Sequence, residues 1–418
     1  MSGMNAQVLE TTPGIPETAG RNGQTRDGRK INILFMIDTF FGVGGTEKQL
    51  LELIARLDKR KFSCYVCPFY FSEEMLSRVT QLGAQVWPTP IKRIYGLSGL
   101  RQAFGLISKM HRCKIDIVST FHFAADTYGV LVAKLAGVPC VVSNRRDTGD
   151  HHHNKYSLLI KMLNPLVDRY FAVCDAVASH ITEDYGVDRN KVRTIHSGID
   201  LSKTPRVGRD KLEALRARHG IARDAFVVGN ISHLRPEKGY DVFFEAIRRV
   251  KPEIPGLKVL AVGSILPSEK PFLDRIMRFA RDKGIEENLI LTGYVSNATD
   301  YIGLMDIACL TAVRNEGFSN ALLEEMMFGK PVIATDVGGN REAIVHKESG
   351  IIIPPNDAEA LASWILKLYR DPGLRKRLGQ AAKKRVHAYF RIEKTVSEFE
   401  KQYVELYREA NKQMGVRR

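Results

Sequence analysis

The chain has 418 residues, room for about two domains of ordinary size, and its 44% hydrophobic and 26% charged content is that of a globular protein. No apolar run approaches the roughly 18 residues of a spanning helix, which excludes a helical integral membrane protein. The net charge of +15 favours acidic partners (nucleotide phosphates, anionic lipid headgroups, nucleic acid), but no aromatic RNP run or paired zinc ligands mark a nucleic-acid module.

In chain order, residues 1–28 are rich in Gly, Thr, Pro, Asn and Arg without periodicity and read as a disordered leader. The start lacks a basic segment followed by an apolar core, so no secretory signal is expected and the location is expected to be cytoplasmic. Ile31–Ile37 reads as a buried strand. It runs into D-T-F-F-G-V-G-G-T-E (38–47) and a helix from Lys48 to Arg56. Strand, glycine turn and helix open a doubly wound α/β domain, where the turn brings backbone N–H groups to a ligand. The turn is not G-x-G-x-x-G, so the dinucleotide fingerprint fails. Strands are expected over Cys64–Phe71 and Ala84–Pro88. Cys64 and Cys67 have the spacing of a redox or metal pair, but they lie in an alternating strand pattern with no second pair, and all six cysteines read as structural thiols.

An amphipathic helix is expected over 98–112, with Arg101, Lys109 and Arg112 beside Leu100, Phe104 and Ile107. That face suits either an anionic membrane surface or an ordinary half-buried position. His122 falls just past the strand that starts at Asp116, where ligand-contacting residues collect in open α/β sheets. The strand 138–144 leads to Arg145 and Arg146, which offer charge to an anionic acceptor. His151, His152 and His153 follow. They have neither helical spacing nor a fixed carboxylate partner and read as a loop near the acceptor rather than a metal site. A helix (155–168), a strand (170–174), a helix from Ala176 and I-H-S-G-I-D (195–200) close the first domain.

A charged linker with Pro205 and a helix at 209–219 leads to F-V-V-G-N-I-S-H-L-R-P-E-K-G (226–239), a strand and a loop carrying Arg235 and Lys238. Helices at 240–250 and 270–283 alternate with strands at 258–263, 289–293 and 306–311. The stretch 311–345 then concentrates the chemistry. Glu316 and Glu324 flank a Gly-Phe-Ser-Asn turn, and Ser319 or Asn320 is placed to cap the helix that follows. Ala321, Leu322, Leu323, Met326 and Met327 give that helix its apolar face, and Gly329 and Pro331 stop it. A helix start presents free N–H groups and a positive dipole end, which suit a phosphate. Ionised carboxylates beside it only accept hydrogen bonds and so suit hydroxyl groups. Phosphate with hydroxyls describes a nucleotide sugar. Helices at 357–370, 372–389 and 393–411 end the chain.

The combination Glu316-Gly317-Phe318 … Glu324, then G-K-P-V-I-A-T and Gly338-Gly339-Asn340-Arg341-Glu342, closely resembles the signature of retaining glycosyltransferases of family 4, also called group 1. The similarity runs from residue 31 onward. It implies the GT-B fold, an α/β architecture of two Rossmann-like doubly wound domains facing a cleft. The expected organisation is an acceptor-side domain at 29–205, a donor-binding domain at 206–388 and a C-terminal helix, 389–418, that packs back on the first domain.

The resemblance further implies sugar transfer from a nucleoside diphosphate sugar, UDP or GDP, to a hydroxyl acceptor such as a lipid-linked or polysaccharide intermediate of envelope or exopolysaccharide synthesis. Peripheral contact with the inner face of the membrane fits that setting. Catalytic roles fall to Glu316, His122 and Lys238. Donor contacts fall to Gly44, Gly45, Arg235, Lys238, Gly293, Tyr294, Val295, Glu316, Gly317, Phe318, Ser319, Asn320, Ala321 and Glu324. Arg235 stands two places beyond the family's usual arginine position, which His233 occupies, and Ser197 replaces the usual Asn. The chain has no Asp-x-Asp, so no metal and no cofactor are expected. A nucleotide-sugar epimerase of the same fold, or a non-catalytic carbohydrate- or membrane-binding protein, would share much of this pattern.

Overall fold

The computed structural model describes residues 29–42, 44–91, 96–149, 154–203 and 207–416. The first half runs β1 (Ile31–Phe40), α1 (Gly45–Arg56), β2 (Phe62–Phe71), α2 (Glu73–Gln81), β3 (Gln85–Val86), α3 (Leu97–Arg112), β4 (Ile117–Phe121), α4 (Val130–Leu135), β5 (Cys140–Arg145), α5 (Asn154–Leu163), β6 (Arg169–Ala172), α6 (Asp175–Glu183) and β7 (Val192–Thr194). The second half runs α7 (Arg209–Arg218), β8 (Val227–Ile231), α8 (Tyr240–Val250), β9 (Lys258–Val262), α9 (Lys270–Asp282), β10 (Leu289–Gly293), α10 (Ala298–Ile302), β11 (Ile307–Leu310), α11 (Asn320–Met327), β12 (Val332–Thr335), α12 (Asn340–Ala343) and β13 (Ile351–Ile353). Three helices finish the chain: α13 (Ala358–Arg370), α14 (Pro372–Tyr389) and α15 (Ile392–Val416).

The strands form two parallel sheets, of order β3-β2-β1-β4-β5-β6-β7 and β10-β9-β8-β11-β12-β13. Continuous apolar runs such as that of β1 fit this arrangement, because helices cover both faces of a parallel sheet. Ile33, Phe35 and Ile37 turn to the face packed by α1 and α15, whereas Leu34 and Met36 turn to the face packed by α3 and α4. Cys64 and Cys67, an odd number of residues apart on β2, point to opposite faces and are free thiols, as the pleat requires.

The returning helix α15 is fixed by Tyr403, which lies among Phe35, Phe62, Phe171 and Phe399 and places its hydroxyl 3.1 Å from Ser119 Oγ. Backbone bonds at Ile199 tie the end of the first sheet to the start of α15: Ile199 N donates to Phe390 O (2.9 Å) and Ile392 N to Ile199 O (3.0 Å). One local expectation is corrected. The strand expected over Ala84–Pro88 shrinks to Gln85–Val86, because Pro88 and Pro90 have no N–H for the ladder. The helix after His122 opens with a π-helical turn, Ala125–Gly129, before α4. Among the described residues no helix is long and apolar enough to cross a membrane.

Candidate active site

In each sheet the strand order reverses once, between β1 and β4 and between β8 and β11. Loops diverge at such a point, leaving a crevice at the carboxyl ends of the strands. The candidate residues gather at these two crevices, which face each other.

At the first crevice, Asp38 near the end of β1 accepts hydrogen bonds from Ala124 N (2.7 Å) and Ala125 N. It thereby clamps the turn that follows His122, whose φ of 70° lies in the left-handed region. Burial pushes the Asp38 carboxyl up to about 7, with the nearby Asp126 charge adding to the rise against the two backbone bonds. Burial also lowers the His122 pKa, Arg146 acting with it and Asp147 against it, and His122 Nδ1 is buried without a partner. Gly44 and Gly45 begin α1 on the neighbouring loop.

At the second crevice, the loop after β8 is stitched to the strand end of β11 by Thr311 Oγ1 to Lys238 O (2.8 Å) and Val313 N to Glu237 O (2.8 Å). This stitching sets Lys238 Nζ 2.7 Å from Glu316 Oε2, with both side chains largely buried. Arg235 lies in the same loop with its Nε buried and unpartnered, whereas His233 is exposed and bonds Ser264 Oγ at 2.6 Å. Of the two candidate caps, Ser319 caps α11, accepting from Leu322 N at 3.3 Å. Arg235, Lys238, Glu316, Gly317, Phe318, Ser319, Asn320, Ala321 and Glu324 therefore share one crevice. Gly293, Tyr294 and Val295 stand two strands away at the end of edge strand β10, with the Tyr294 ring 77% exposed.

The two crevices meet along a polar seam. Asn320 Nδ2 donates to Gly45 O (3.0 Å), and Gln49 Nε2 bridges Asn320 Oδ1 (3.1 Å) and Gly198 O (2.8 Å). Lys48, on the first turn of α1, forms an ion pair with Glu324. Gly317 presses on the other domain so closely that a Cβ there would lie 1.9 Å from Arg146 O. Only glycine fits that approach.

Sequence reasoning missed Asp38, Lys48 and Gln49 as site residues. The glycine turn beside them was the available signal for Lys48 and Gln49. Arg145 does not serve as a free acceptor cation: it pairs with Asp126 at 3.2 Å and lies over the Tyr170 ring. Arg146 donates to Ser197 Oγ (2.7 Å), and burial lowers its pKa to about 10. His151–His153 lie outside the described residues. Among the described residues no cluster of three His, Cys, Asp or Glu side chains is placed to hold a metal.

Residues 43–203 match the family model described as Glycosyltransferase Family 4, and residues 212–385 match the one described as Glycosyl transferases group 1. Together the two matches hold every strand except β1, and the chain belongs to the group 1, family 4 glycosyltransferases. It is 28% identical to the N-acetyl-alpha-D-glucosaminyl L-malate synthase of Bacillus anthracis over 47% of this chain, and that match spans only about half (49%) of the relative. A UDP-Gal:alpha-D-GlcNAc-diphosphoundecaprenol alpha-1,3-galactosyltransferase of Escherichia coli is 24% identical over 76% of this chain and 83% of its own length. Among solved structures, the Anabaena protein HepE in complex with UDP and glucose superposes with a TM-score of 0.80 at 20% identity, covering 90% of this chain and all of HepE. The fold is GT-B.

Proposed function

We propose that this chain is a retaining glycosyltransferase that moves a sugar from a nucleoside diphosphate sugar, UDP or GDP, to a hydroxyl of a lipid-linked or polysaccharide acceptor. The observation that carries this is the Lys238–Glu316 pair at 2.7 Å, set at a topological switch point beside the start of α11. It places a cation for phosphate next to a carboxylate for hydroxyls. Complexes of HepE with UDP and the donor named for the Escherichia coli relative support the choice of donor class.

In this reading the diphosphate lies over the N–H groups at Asn320–Leu322, with Lys238 and Arg235 balancing its charge. Glu324 accepts from the ribose hydroxyls and Glu316 from the sugar hydroxyls. The Gly317–Asn320 backbone and Gly44–Gly45 enclose the donor, Tyr294 flanks the base, and His122 faces the sugar from the opposite domain. The acceptor oxygen attacks the anomeric carbon on the face from which the diphosphate departs. The carbon–oxygen bond to phosphate breaks, and the acceptor proton passes to the leaving phosphate oxygen. No enzymic nucleophile is needed, and the cationic clamp takes the place of a divalent metal.

The helices α3, α4 and α5 contain no Asp or Glu, and they expose Leu97, Leu100, Phe104, Leu135, Leu158 and Met162 beside Arg101 and Lys161. Exposed apolar and basic side chains of this kind suit an anionic lipid surface that carries the acceptor.

One assay tests the reading: nucleotide release from UDP-, GDP- and ADP-sugars in EDTA, with acceptor lipid in anionic or neutral vesicles, for wild type and Glu316→Ala. Release from one donor, lost in the variant, undiminished by EDTA and raised by anionic vesicles, is the expected result. Release that needs added magnesium overturns the metal-free clamp. Altered sugar released without any acceptor favours an epimerase.

A further inference from the structure

Glu342 closes the signature stretch, yet none of the donor contacts above uses it. It reaches across to the first domain. Helix α6 begins at Cys174, which makes no side-chain cap hydrogen bond. The first free N–H groups of α6 instead donate to Glu342, Asp175 N to Oε2 (2.9 Å) and Ala176 N to Oε1 (3.1 Å). Glu342 Oε2 also lies 2.6 Å from His196 Nε2. The helix is thus capped in trans by a carboxylate of the other domain, where the dipole end favours negative charge. Burial alone would raise this carboxyl, but the His196 and backbone bonds together bring it below its ordinary value, so it stays ionised at neutral pH.

The same segment is locked to the donor loop. Gly339 N donates to Gly317 O (2.7 Å). A Cβ on Gly338, whose φ is 55°, would lie 2.2 Å from Glu316 O, and one on Gly339 would lie 2.5 Å from the Phe318 ring and 2.7 Å from Cys174 Cβ. The His196 ring packs on Phe318 with centroids 5.0 Å apart. On its own side Glu342 is steadied by Arg385, which donates to Glu342 O (2.8 Å) and Ala343 O (2.7 Å).

We propose that Glu342 is a positioning residue, a cross-cleft latch that holds the donor loop 316–318 in register with the first domain by capping α6 in trans. It joins the loop bearing Glu316 to the domain bearing His122, so sugar and acceptor are aligned only while the latch is made. The catalytic consequence rests on the glycosyltransferase reading; the latch itself rests on the contacts alone.

The test compares wild type, Glu342→Ala, Glu342→Gln, Cys174→Ser and the double variant Cys174→Ser/Glu342→Ala, in which serine gives α6 a cap from its own domain; the single Cys174→Ser variant, expected to keep wild-type kcat, accounts for the thiol's own contact with Gly317 O (3.5 Å). Four quantities are read: thermal midpoint, UDP and GDP binding, kcat and donor KM for nucleotide release, and radius of gyration by small-angle scattering. Glu342→Ala is expected to lower kcat by about tenfold or more, since misplacing reacting groups costs rate. Nucleotide affinity and donor KM stay near wild type, and the scattering envelope widens. Glu342→Gln, which keeps an acceptor but not the charge, falls between. The double variant recovers the thermal midpoint but not kcat.

Recovery of kcat together with the midpoint would overturn the proposal, leaving Glu342 a helix cap and nothing more. An unchanged kcat and envelope in Glu342→Ala would overturn it too. If wild type releases no nucleotide from any donor, the functional reading fails separately, and the scattering comparison alone decides the latch.

Discussion

His122 adopts a left-handed backbone that few non-glycine residues adopt, and the two backbone bonds to Asp38 hold the turn that imposes it. The position of His122 was legible from the sequence, because it follows an apolar run that ends at a strand terminus. Asp38 was not, because an aspartate after a strand is common and its partners lie 86 and 87 residues away. Its carboxyl is raised from the ordinary 3.8 to about 7, chiefly by burial. The folded state therefore keeps a proton that the unfolded chain releases, and stability falls as pH rises between about 4 and 7. Asn at this position cannot titrate. Thermal midpoints from pH 4.5 to 7.5 are expected to fall for wild type relative to Asp38→Asn, and parallel profiles would contradict the shift.

At the scale of elements, α11 shows how one short helix serves both packing and binding. Leu322, Leu323, Met326 and Met327 are buried, while Glu324 turns to Lys48 of the other domain. Glu325 turns the other way into the core, where burial raises its carboxyl well above the usual range. The spacing of Glu316 and Glu324 and the Ser319 cap could be read from sequence, because capping chemistry is local. The direction of each glutamate depends on the helix being pinned between domains, which no local pattern reveals. Ser319→Ala removes the cap and is expected to cost about 1 kcal/mol of stability. Ser319→Asp is expected to restore that stability, yet weaken UDP or GDP binding relative to wild type, because its carboxylate stands where the phosphate would. Calorimetric unfolding with nucleotide titration checks both. Undiminished nucleotide binding by the Asp variant would argue against phosphate at this helix start.

For the whole molecule, the sequence pattern carried the alternation of strands and helices, the doubly wound class and the returning last helix, since continuous apolar strands and amphipathic helices leave a periodic trace. The seam between the domains left almost none. Lys48–Glu324, Asn320–Gly45 and Glu342–Asp175 each join a single polar side chain to a side chain or backbone group in a distant part of the chain, on the other domain. Arg145 leaves no such trace either: its partner Asp126 lies in the same domain, on the turn before α4, and only the packing of that turn against β5 brings the two together. In the proposed function Lys238 holds a nucleoside diphosphate in the crevice between β8 and β11, and titration of UDP and GDP into wild type and Lys238→Met measures that contact. One nucleotide is expected to bind the wild type, and the variant is expected to lose about tenfold or more in affinity, the worth of one charge-assisted contact. Equal affinity in the two proteins, or no binding of either nucleotide to wild type, would contradict it.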